Sequence, residues 1–312
     1  MSILSIENLN VTFHTSKGKV LAVDGVTLEL KKEETLALVG ETGCGKSTVA
    51  HSILNLLPQN AVVRGKIQWD GSNLLLLDEK ALSRLRGKDI SLVMQNPSLA
   101  LNPVLSIGRQ MIEPLIMHRG LKKREAIRMA EELLGKLHFI GPSNAMQAYP
   151  FEMSGGMKQR VLIGISVVLS PKILIADEPT KGLDDRLRRM VLEELRLARK
   201  MNRSSMIFIS HGLNAAREIS DRIAVMYAGE IVESAPTQEF FQEPLHPYSQ
   251  ALLESLPERG FKPIPGFSPS AIQPPEGCKF HPRCPYKKEI CSTARPDFKS
   301  MNNRGIKCVL YC

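Results

Sequence analysis

Two kinds of hydrophobic pattern alternate along the chain. Residues 3–39 contain short apolar runs separated by turn signals, which is typical of β-structure. Residues 122–137 carry apolar side chains at helical spacing, within a segment from about 104 to 170 that is helical in pattern. Further short apolar runs predict strands at 62–70, 90–94, 173–176, 206–209 and 223–227, and a helix is predicted at 186–201. Strands that alternate with helices predict an α/β fold, with a mostly parallel sheet covered by helices on both faces.

The composition changes near residue 235. Beyond this point the chain is rich in proline and is expected to be loop-like, with Pro263, Pro265, Pro269, Pro274 and Pro275. We therefore predict a main domain over residues 1–235, with a helical subdomain at about 98–170, and a C-terminal extension over residues 236–312.

Composition narrows the class of protein. The 312 residues are 43% hydrophobic and 23% charged, as in globular proteins, and no apolar run is long enough to span a bilayer. The first residues lack the pattern of a secretory signal, so we expect a cytosolic location. The net charge of +9 comes from basic residues scattered along predicted helices without interleaved aromatics. We interpret it as surface charge and expect no nucleic-acid partner.

A phosphate-binding loop lies between a predicted strand and a predicted helix. The pattern G-x-x-x-x-G-K-S lets several backbone N–H groups point at one anion, and the helix N-terminus adds its positive end. Lys46 can reach the β- and γ-phosphates and Ser47 can ligate Mg²⁺. The predicted nucleotide-binding residues are Gly40, Glu41, Thr42, Gly43, Cys44, Gly45, Lys46, Ser47 and Thr48.

Two further motifs support phosphoryl chemistry. The strand at 173–176 ends in Asp177 and Glu178, at the sheet edge where α/β proteins bind ligands. Asp177 suits a Mg²⁺ ligand through water, and Glu178 suits the group that orients or deprotonates the attacking water. Ser154-Gly155-Gly156 opens a predicted helix and offers a second anion-binding nest.

These motifs, in this order, resemble those of the ATP-binding-cassette (ABC) ATPases over roughly residues 3–235. The resemblance implies a P-loop NTPase cassette with a RecA-like core and antiparallel β and helical subdomains. It also implies ATP and Mg²⁺ as cofactors. The matching positions are the phosphate loop, Gln95 of the Q-loop, Ser154-Gly155-Gly156 of the signature, Asp177-Glu178 of Walker B, Asp184 of the D-loop and the switch histidine His211.

The resemblance implies a mechanism in which two cassettes meet head to tail around two ATP molecules. The signature of one subunit would then act in trans on the ATP held by the other. Gln95 would sense the γ-phosphate and join Ser47 and Asp177 around Mg²⁺, while His211 would hold the γ-phosphate and the attacking water. Phe13 would stack on adenine or, equally, serve as a strand core residue.

Some positions depart from the family pattern. Lys181-Gly182 precedes Leu183-Asp184 where a small residue is usual, and Gly212 stands where an Asp usually follows the histidine. Because the Mg²⁺ and water ligands remain, we expect an active site, and leave open whether the coupling between the two sites is altered.

The C-terminal extension resembles that of the oligopeptide, dipeptide and nickel import ATPases, through its His-Pro-Tyr core at 246–248 and the stretch 277–286. Its thiols Cys278, Cys284, Cys291 and Cys308 resemble a [4Fe–4S] ligand set known in this branch. Zn²⁺ or no metal are the alternatives, and Cys312 is an alternative fourth ligand.

We therefore expect an ATPase subunit of a membrane importer for peptides or nickel. Its expected partners are a paralogous ATPase, two transmembrane permease subunits and an extracytoplasmic substrate-binding protein, with the chain peripheral on the cytoplasmic face. A homodimer is the alternative to the paralogous pair. A soluble cassette ATPase that acts on nucleic acid or ribosomes is the alternative function, and a non-hydrolysing regulatory cassette is disfavoured by Glu178 and His211.

Overall fold

The structure, a computed structural model, describes residues 2–311 and divides into two compact units. The first unit contains residues 2–77 and 208–311 of the described chain, and the second contains residues 78–207. The C-terminal extension belongs to the first unit, together with the strands that lead into the phosphate loop.

The strands are β1 Ser2–Thr15, β2 Gly18–Lys31, β3 Thr35–Val39, β4 Ala61–Trp69, β5 Ser72–Asn73, β6 Ile90–Val93, β7 Ile173–Asp177, β8 Ser205–Ser210, β9 Arg222–Tyr227, β10 Glu230–Pro236, β11 Lys299–Met301 and β12 Arg304–Ile306. The helices are α1 Lys46–Ile53, α2 Glu79–Leu85, α3 Pro97–Ala100, α4 Ile107–Arg119, α5 Lys123–Lys136, α6 Pro142–Gln147, α7 Gly155–Val167, α8 Asp185–Asn202, α9 Leu213–Ile219, α10 Thr237–Gln242 and α11 Pro247–Glu254.

The first unit carries two sets of paired strands. An antiparallel sheet has the order β2-β1-β4-β5, and the inward side chain of Val11 faces Val23 and Val63 on the flanking strands. Strand β3, buried at every residue, pairs in parallel with β9, where Leu38 lies opposite Ala224. Beyond β9 the pairing turns antiparallel through β10, β12 and β11. The predicted parallel pairing is therefore correct at β3 and β9, and an antiparallel edge is added to it.

The second unit combines a parallel strand pair with a group of helices. Strands β6 and β7 pair in parallel, with Leu92 opposite Ile175. The helical pattern predicted over residues 122–137 is confirmed as α5, whose apolar face buries Ala126, Ala130 and Leu134. Helix α4 begins at the cap Ser106 and ends at Gly120, which adopts the left-handed conformation that favours glycine.

The expectation that the extension is loop-like was wrong for its first part. Residues 237–254 contain α10 and α11, because Phe240, Phe241, Leu252 and Leu253 are spaced so that each helix buries an apolar face. Pro247 occupies the first turn of α11, where its missing N–H has no helical partner to lose. No helix within residues 2–311 is long and apolar enough to cross a bilayer.

His246 links the start of α11 to the core of the first unit. Its Nδ1 atom accepts a hydrogen bond from the Tyr248 N–H at 3.0 Å and so caps the helix, and the backbone N–H of His246 donates to Glu233 Oε2 at 2.8 Å. The ring is buried, and burial lowers the pKa of His246 from 6.5 to about 3, while a hydrogen bond with the Lys307 backbone opposes this shift. The imidazole is therefore neutral in the folded protein and acts as an acceptor.

We predict that His246→Gln will reduce the loss of stability that accompanies acidification. The unfolded chain binds a proton at His246 near pH 6.5 and the folded chain only near pH 3, so stability is full above pH 6.5 and falls as the pH drops. From pH 7.5 to pH 5 this residue should account for a loss of about 2 kcal/mol. Urea denaturation at several pH values measures the effect.

The control is His14→Gln, because His14 is exposed on β1 and its replacement should leave the pH profile unchanged. An His246→Gln profile parallel to that of the wild type would contradict a neutral, buried His246.

Candidate nucleotide-binding site

The phosphate loop connects the buried strand β3 to α1 and is held between two neighbouring backbone segments. Gly40 and Gly45 have φ values of +154° and +107°, which L side chains rarely adopt. A Cβ atom at Gly40 would lie 2.1 Å from the Met226 carbonyl oxygen, and one at Gly45 would lie 2.3 Å from that of Ala22. Glycine is therefore required at both positions by conformation and by space.

Lys46 occupies the interior of this loop. Its side chain is buried, and Nζ donates hydrogen bonds of 2.9 Å to the carbonyl oxygens of both Gly40 and Glu41. Cys44 lies beside it with Sγ 3.7 Å from Nζ, and burial raises the pKa of the Cys44 thiol. Lys46 thus places a cation inside the loop, and in such loops this cation and the backbone N–H groups bind the phosphates.

Two other predicted nucleotide contacts also belong to the first unit. Phe13 lies near the end of β1, half-buried, opposite Val20 and Ala61 on the flanking strands. His211 follows β8 and is exposed, and the next residue, Gly212, caps α9 and donates its N–H to Ser210 Oγ at 2.9 Å.

The predicted acidic pair lies at the end of β7, in the second unit. Asp177 is the last strand residue and Glu178 is the first beyond it, and both are buried. Glu178 has a φ of +50°, a left-handed conformation that is uncommon for a residue with a side chain. Gln95 belongs to the same unit, is exposed, and lies between β6 and α3.

The signature motif forms the exposed start of α7. Ser154 caps the helix by accepting a hydrogen bond from the Met157 N–H at 3.3 Å, and Gly155 and Gly156 form its first turn. Asp184 caps α8 in the same way, with Oδ1 accepting from the N–H groups of Arg186 and Leu187 at 2.9 Å. Ser154, Gly156 and Asp184 line one cavity of about 400 Å³ within the second unit.

An ion pair lies at this cavity and was not predicted. Arg160 on α7 and Glu194 on α8 are joined by an Nε–Oε1 distance of 2.7 Å, and Glu194 is buried. Burial raises the pKa of Glu194 to about 7, and the Arg160 charge opposes that rise. The pair joins the signature helix to the helix that follows the D-loop.

The predicted residues are thus divided between the two units. The phosphate loop, Phe13 and His211 belong to the first, whereas Gln95, Asp177, Glu178, Asp184 and the signature belong to the second. Sequence reasoning missed the contacts that the extension makes with Glu41 of the phosphate loop, which come from Tyr248, Ser268 and Arg283. Tyr248 and Arg283 lie in the two stretches, 246–248 and 277–286, that resemble the importer branch. That resemblance is the only feature of the sequence that points to these two residues.

The expected metal site of the extension is not assembled. Within residues 2–311 no three His, Cys, Asp or Glu side chains are arranged to hold a metal ion, and the cysteines of that range form no disulfide bond. Burial raises the pKa of Cys278, and the neighbouring Cys308 and Cys291 raise it further, so this thiol stays protonated at neutral pH. Cys312 lies outside the described residues. As they lie, these thiols do not form a [4Fe–4S] or Zn²⁺ ligand set.

Comparison with known families matches two parts of the chain. The ABC transporter family model matches residues 23–181, and the model of the oligopeptide/dipeptide transporter C-terminal region matches residues 232–291.

Known proteins match nearly the whole chain. A peptide import ATP-binding protein of Brucella abortus (strain 2308) is 42% identical over 98% of this chain and 94% of its own length. The oligopeptide transport ATP-binding protein AppD of Bacillus subtilis (strain 168) is 40% identical over 99% of this chain and 97% of its own. A solved dimer of the ATP-binding cassette MJ0796 in a post-hydrolysis state with ADP and Pi has a TM-score of 0.66. The two sequences are 26% identical, and the match covers 75% of this chain and 98% of the solved chain.

The chain therefore belongs to the ABC transporter family. This membership confirms the cassette fold and the ATPase activity predicted from the motifs, and the C-terminal match confirms the predicted oligopeptide/dipeptide branch.

We predict that Gly45→Ala will destabilise the protein more than Gly43→Ala. At Gly45 the new methyl group would meet the Ala22 carbonyl oxygen at 2.3 Å, so the loop or β2 must move. Gly43 also has a positive φ, of +82°, but nothing lies within 4 Å of its added Cβ. We expect a loss of about 1 kcal/mol for Gly43→Ala from conformation alone and at least twice that for Gly45→Ala.

Chemical denaturation of the two variants measures the difference. Equal losses would mean that the crowding at Ala22 relaxes without cost.

Proposed function

We propose that this chain is the ATPase subunit of an importer for di- or oligopeptides. The observation that carries the proposal is the presence of a cassette match and an oligopeptide/dipeptide C-terminal match in one chain, at residues 23–181 and 232–291. The two relatives named above are a peptide import protein and an oligopeptide transport protein, and each matches this chain over almost its whole length. Their names favour peptides over nickel as the cargo.

The nucleotide chemistry follows from the residues of the two motifs. We propose that Gly40–Thr48 bind the phosphates of ATP, with Lys46 exchanging its bonds to Gly40 and Glu41 for bonds to the β- and γ-phosphates. Ser47, Gln95 and Asp177 would hold Mg²⁺, which neutralises the charge that develops on the phosphates. Phe13 would stack on adenine and His211 would hold the γ-phosphate.

Glu178 is the proposed general base. Its backbone lies in the left-handed region, where a residue with a side chain carries strain of order 1–3 kcal/mol. Strain of this kind, directly after the strand that delivers the Mg²⁺ ligand, supports a role in the reaction. The carboxylate would orient and deprotonate the attacking water.

The signature is proposed to act on an ATP held by another cassette. Ser154 and Gly155 are exposed at the helix N-terminus, so their N–H groups and the positive end of α7 are available to an anion brought by a partner. We propose that this partner is a paralogous ATPase and that Asp184 of the D-loop lies at the same interface, because it shares a cavity with Ser154.

A permease contact is proposed for the segment that follows Gln95. Leu99 and Val104 are 82% and 76% exposed, and Met94 beside Gln95 is also exposed. Apolar side chains that project into solvent next to a nucleotide-sensing residue suit a protein partner. We propose that the subunit lies peripherally on the cytoplasmic face against two permease subunits, with an extracytoplasmic substrate-binding protein delivering the cargo.

We predict that Glu178→Gln will abolish transport while keeping ATP binding. In proteoliposomes that contain the full transporter, wild type should take up labelled peptide with ATP and should not take up Ni²⁺. The variant should bind Mg·ATP with unchanged affinity and hydrolyse it at least ~100-fold more slowly, because the base is lost and the phosphate contacts are not.

The matched control is Glu193→Gln, which removes a carboxylate from α8 in the same unit outside the proposed site. Unchanged hydrolysis in Glu178→Gln would remove Glu178 as the base, and uptake of Ni²⁺ in place of peptide would overturn the cargo. Native mass spectrometry of the same assembly should find one copy of this chain with one different ATPase; two copies would contradict the heterodimer.

We further propose that the cysteines of the extension ligate an iron–sulfur cluster once its loops close around it. The Lys288 backbone N–H already donates to Cys291 Sγ at 3.3 Å, and backbone hydrogen bonds from Phe280 and Tyr286 act to lower the pKa of Cys278 and Cys284 against the effect of burial. Hydrogen bonds to sulfur are what cluster sites use to stabilise thiolates. Cys308 would be the fourth ligand.

We predict that anaerobically purified protein will be brown, with about four iron atoms per chain and an absorption band near ~400 nm. Cys291→Ser should lose the iron, whereas Cys44→Ser, which alters the cysteine of the phosphate loop, should keep it. A colourless protein containing zinc, or no metal, would contradict the cluster.

A further inference from the structure

The second residue of the phosphate loop is held by the C-terminal extension. The Glu41 carboxylate forms a two-point contact with the Arg283 guanidinium, with Nη1–Oε2 at 2.9 Å and Nη2–Oε1 at 3.0 Å. The Ser268 hydroxyl donates a further hydrogen bond to Oε2. On the backbone side, the Glu41 N–H donates to the Tyr248 hydroxyl at 2.9 Å. All of these residues belong to the first unit.

Arg283 is itself fixed by the surrounding structure. Its Nε atom donates to the Pro265 carbonyl oxygen at 2.7 Å and Nη1 donates to the Tyr227 hydroxyl at 3.3 Å. The guanidinium carbon lies 5.9 Å from the centroid of the Tyr227 ring, and only 6% of the side chain is exposed. These contacts hold the guanidinium in place, and the Glu41 carboxylate pairs with it there.

Glu41 connects this contact to the phosphate-binding lysine. Its carbonyl oxygen accepts a hydrogen bond from Lys46 Nζ, and the backbone nitrogen of the same residue is the atom that Tyr248 holds. Burial disfavours a charge on the carboxyl, but the hydrogen bonds from Arg283 and Ser268 outweigh it and lower the pKa of Glu41. The Glu41 carboxylate is thus negatively charged at neutral pH, and this charge would repel a triphosphate unless a cation neutralised it.

We propose that Arg283 is a positioning residue for ATP binding, which neutralises Glu41 and holds it away from the phosphates. The extension thereby sets the affinity of the phosphate loop for ATP. This rests on the proposed role of Gly40–Thr48 as the ATP-binding loop. A merely structural ion pair would stabilise the fold and leave nucleotide affinity unchanged. Removal of the Arg283 charge therefore distinguishes the two roles, because only a positioning role predicts a change in the Kd for ATP.

The test is a charge-removal cycle in the full transporter, with the Kd for Mg·ATP from calorimetry and KM and kcat from hydrolysis. Arg283→Gln should raise Kd and KM about fivefold, because a carboxylate is left unpaired beside the phosphates, while kcat stays within about twofold. Glu41→Gln alone should lower Kd severalfold, because it leaves the Arg283 charge without its carboxylate partner beside the loop. Adding Glu41→Gln to Arg283→Gln should restore Kd to within about twofold of wild type.

The matched control is Arg295→Gln, which also lies in the extension and bonds to Asp24 at 2.9 Å. It should lower stability without changing Kd. If Arg283→Gln does not fold, Arg283→Lys keeps the charge without the two-point geometry and should raise Kd by less than about threefold.

Separate outcomes test the two levels of the proposal. Lys46→Ala should abolish ATP binding, and retained binding would overturn the loop assignment itself. With that assignment intact, an unchanged Kd in Arg283→Gln, or no restoration by Glu41→Gln, would overturn the positioning role.

Discussion

The first unit depends on a buried cluster of aromatic rings, formed by Tyr227, His246, Tyr248 and Phe280. The Tyr227 and Tyr248 rings lie 4.5 Å apart between centroids, and Phe280 packs edge-on to both at 5.2 and 5.4 Å. These residues come from the end of β9, from the start of α11 and from the cysteine-bearing stretch. The cluster therefore joins the cassette to its extension, and the tyrosine hydroxyls extend it to Glu41 and Arg283.

A network of buried charges fixes the extension beside this cluster. Lys279 is 2% exposed, and its Nζ atom lies 2.7 Å from Asp24 and donates to the Ala228 carbonyl oxygen. Arg295 and Lys307 bring two further cations to Asp24 and Glu230. Because burying a lysine is costly unless it is paired and hydrogen-bonded, these contacts specify one register of the extension on the strands.

The sequence alone predicted those parts of the fold that are determined by residues close together in the chain. The glycine spacing of the phosphate loop, the apolar runs of β3 and β7 and the periodicity of α5 each predict their own structure. The helices α10 and α11 were missed because proline-rich composition masked a short apolar spacing. The Glu41–Arg283 contact spans 242 residues, and no local pattern encodes which carboxylate a distant arginine will meet. The cysteine spacing, in turn, predicts a ligand set that the described thiols do not form.

The position of Glu41 explains how a distal extension acts on a local motif. Glycines free the loop backbone to face an anion, but the same freedom leaves the loop without side-chain packing of its own. Its geometry must then come from neighbours, and these are the Met226 and Ala22 carbonyls on the inside and Tyr248 and Arg283 at Glu41. The Glu41 carboxylate at this position is paired with a cation. In this chain that cation comes from the extension, so the extension completes the phosphate loop.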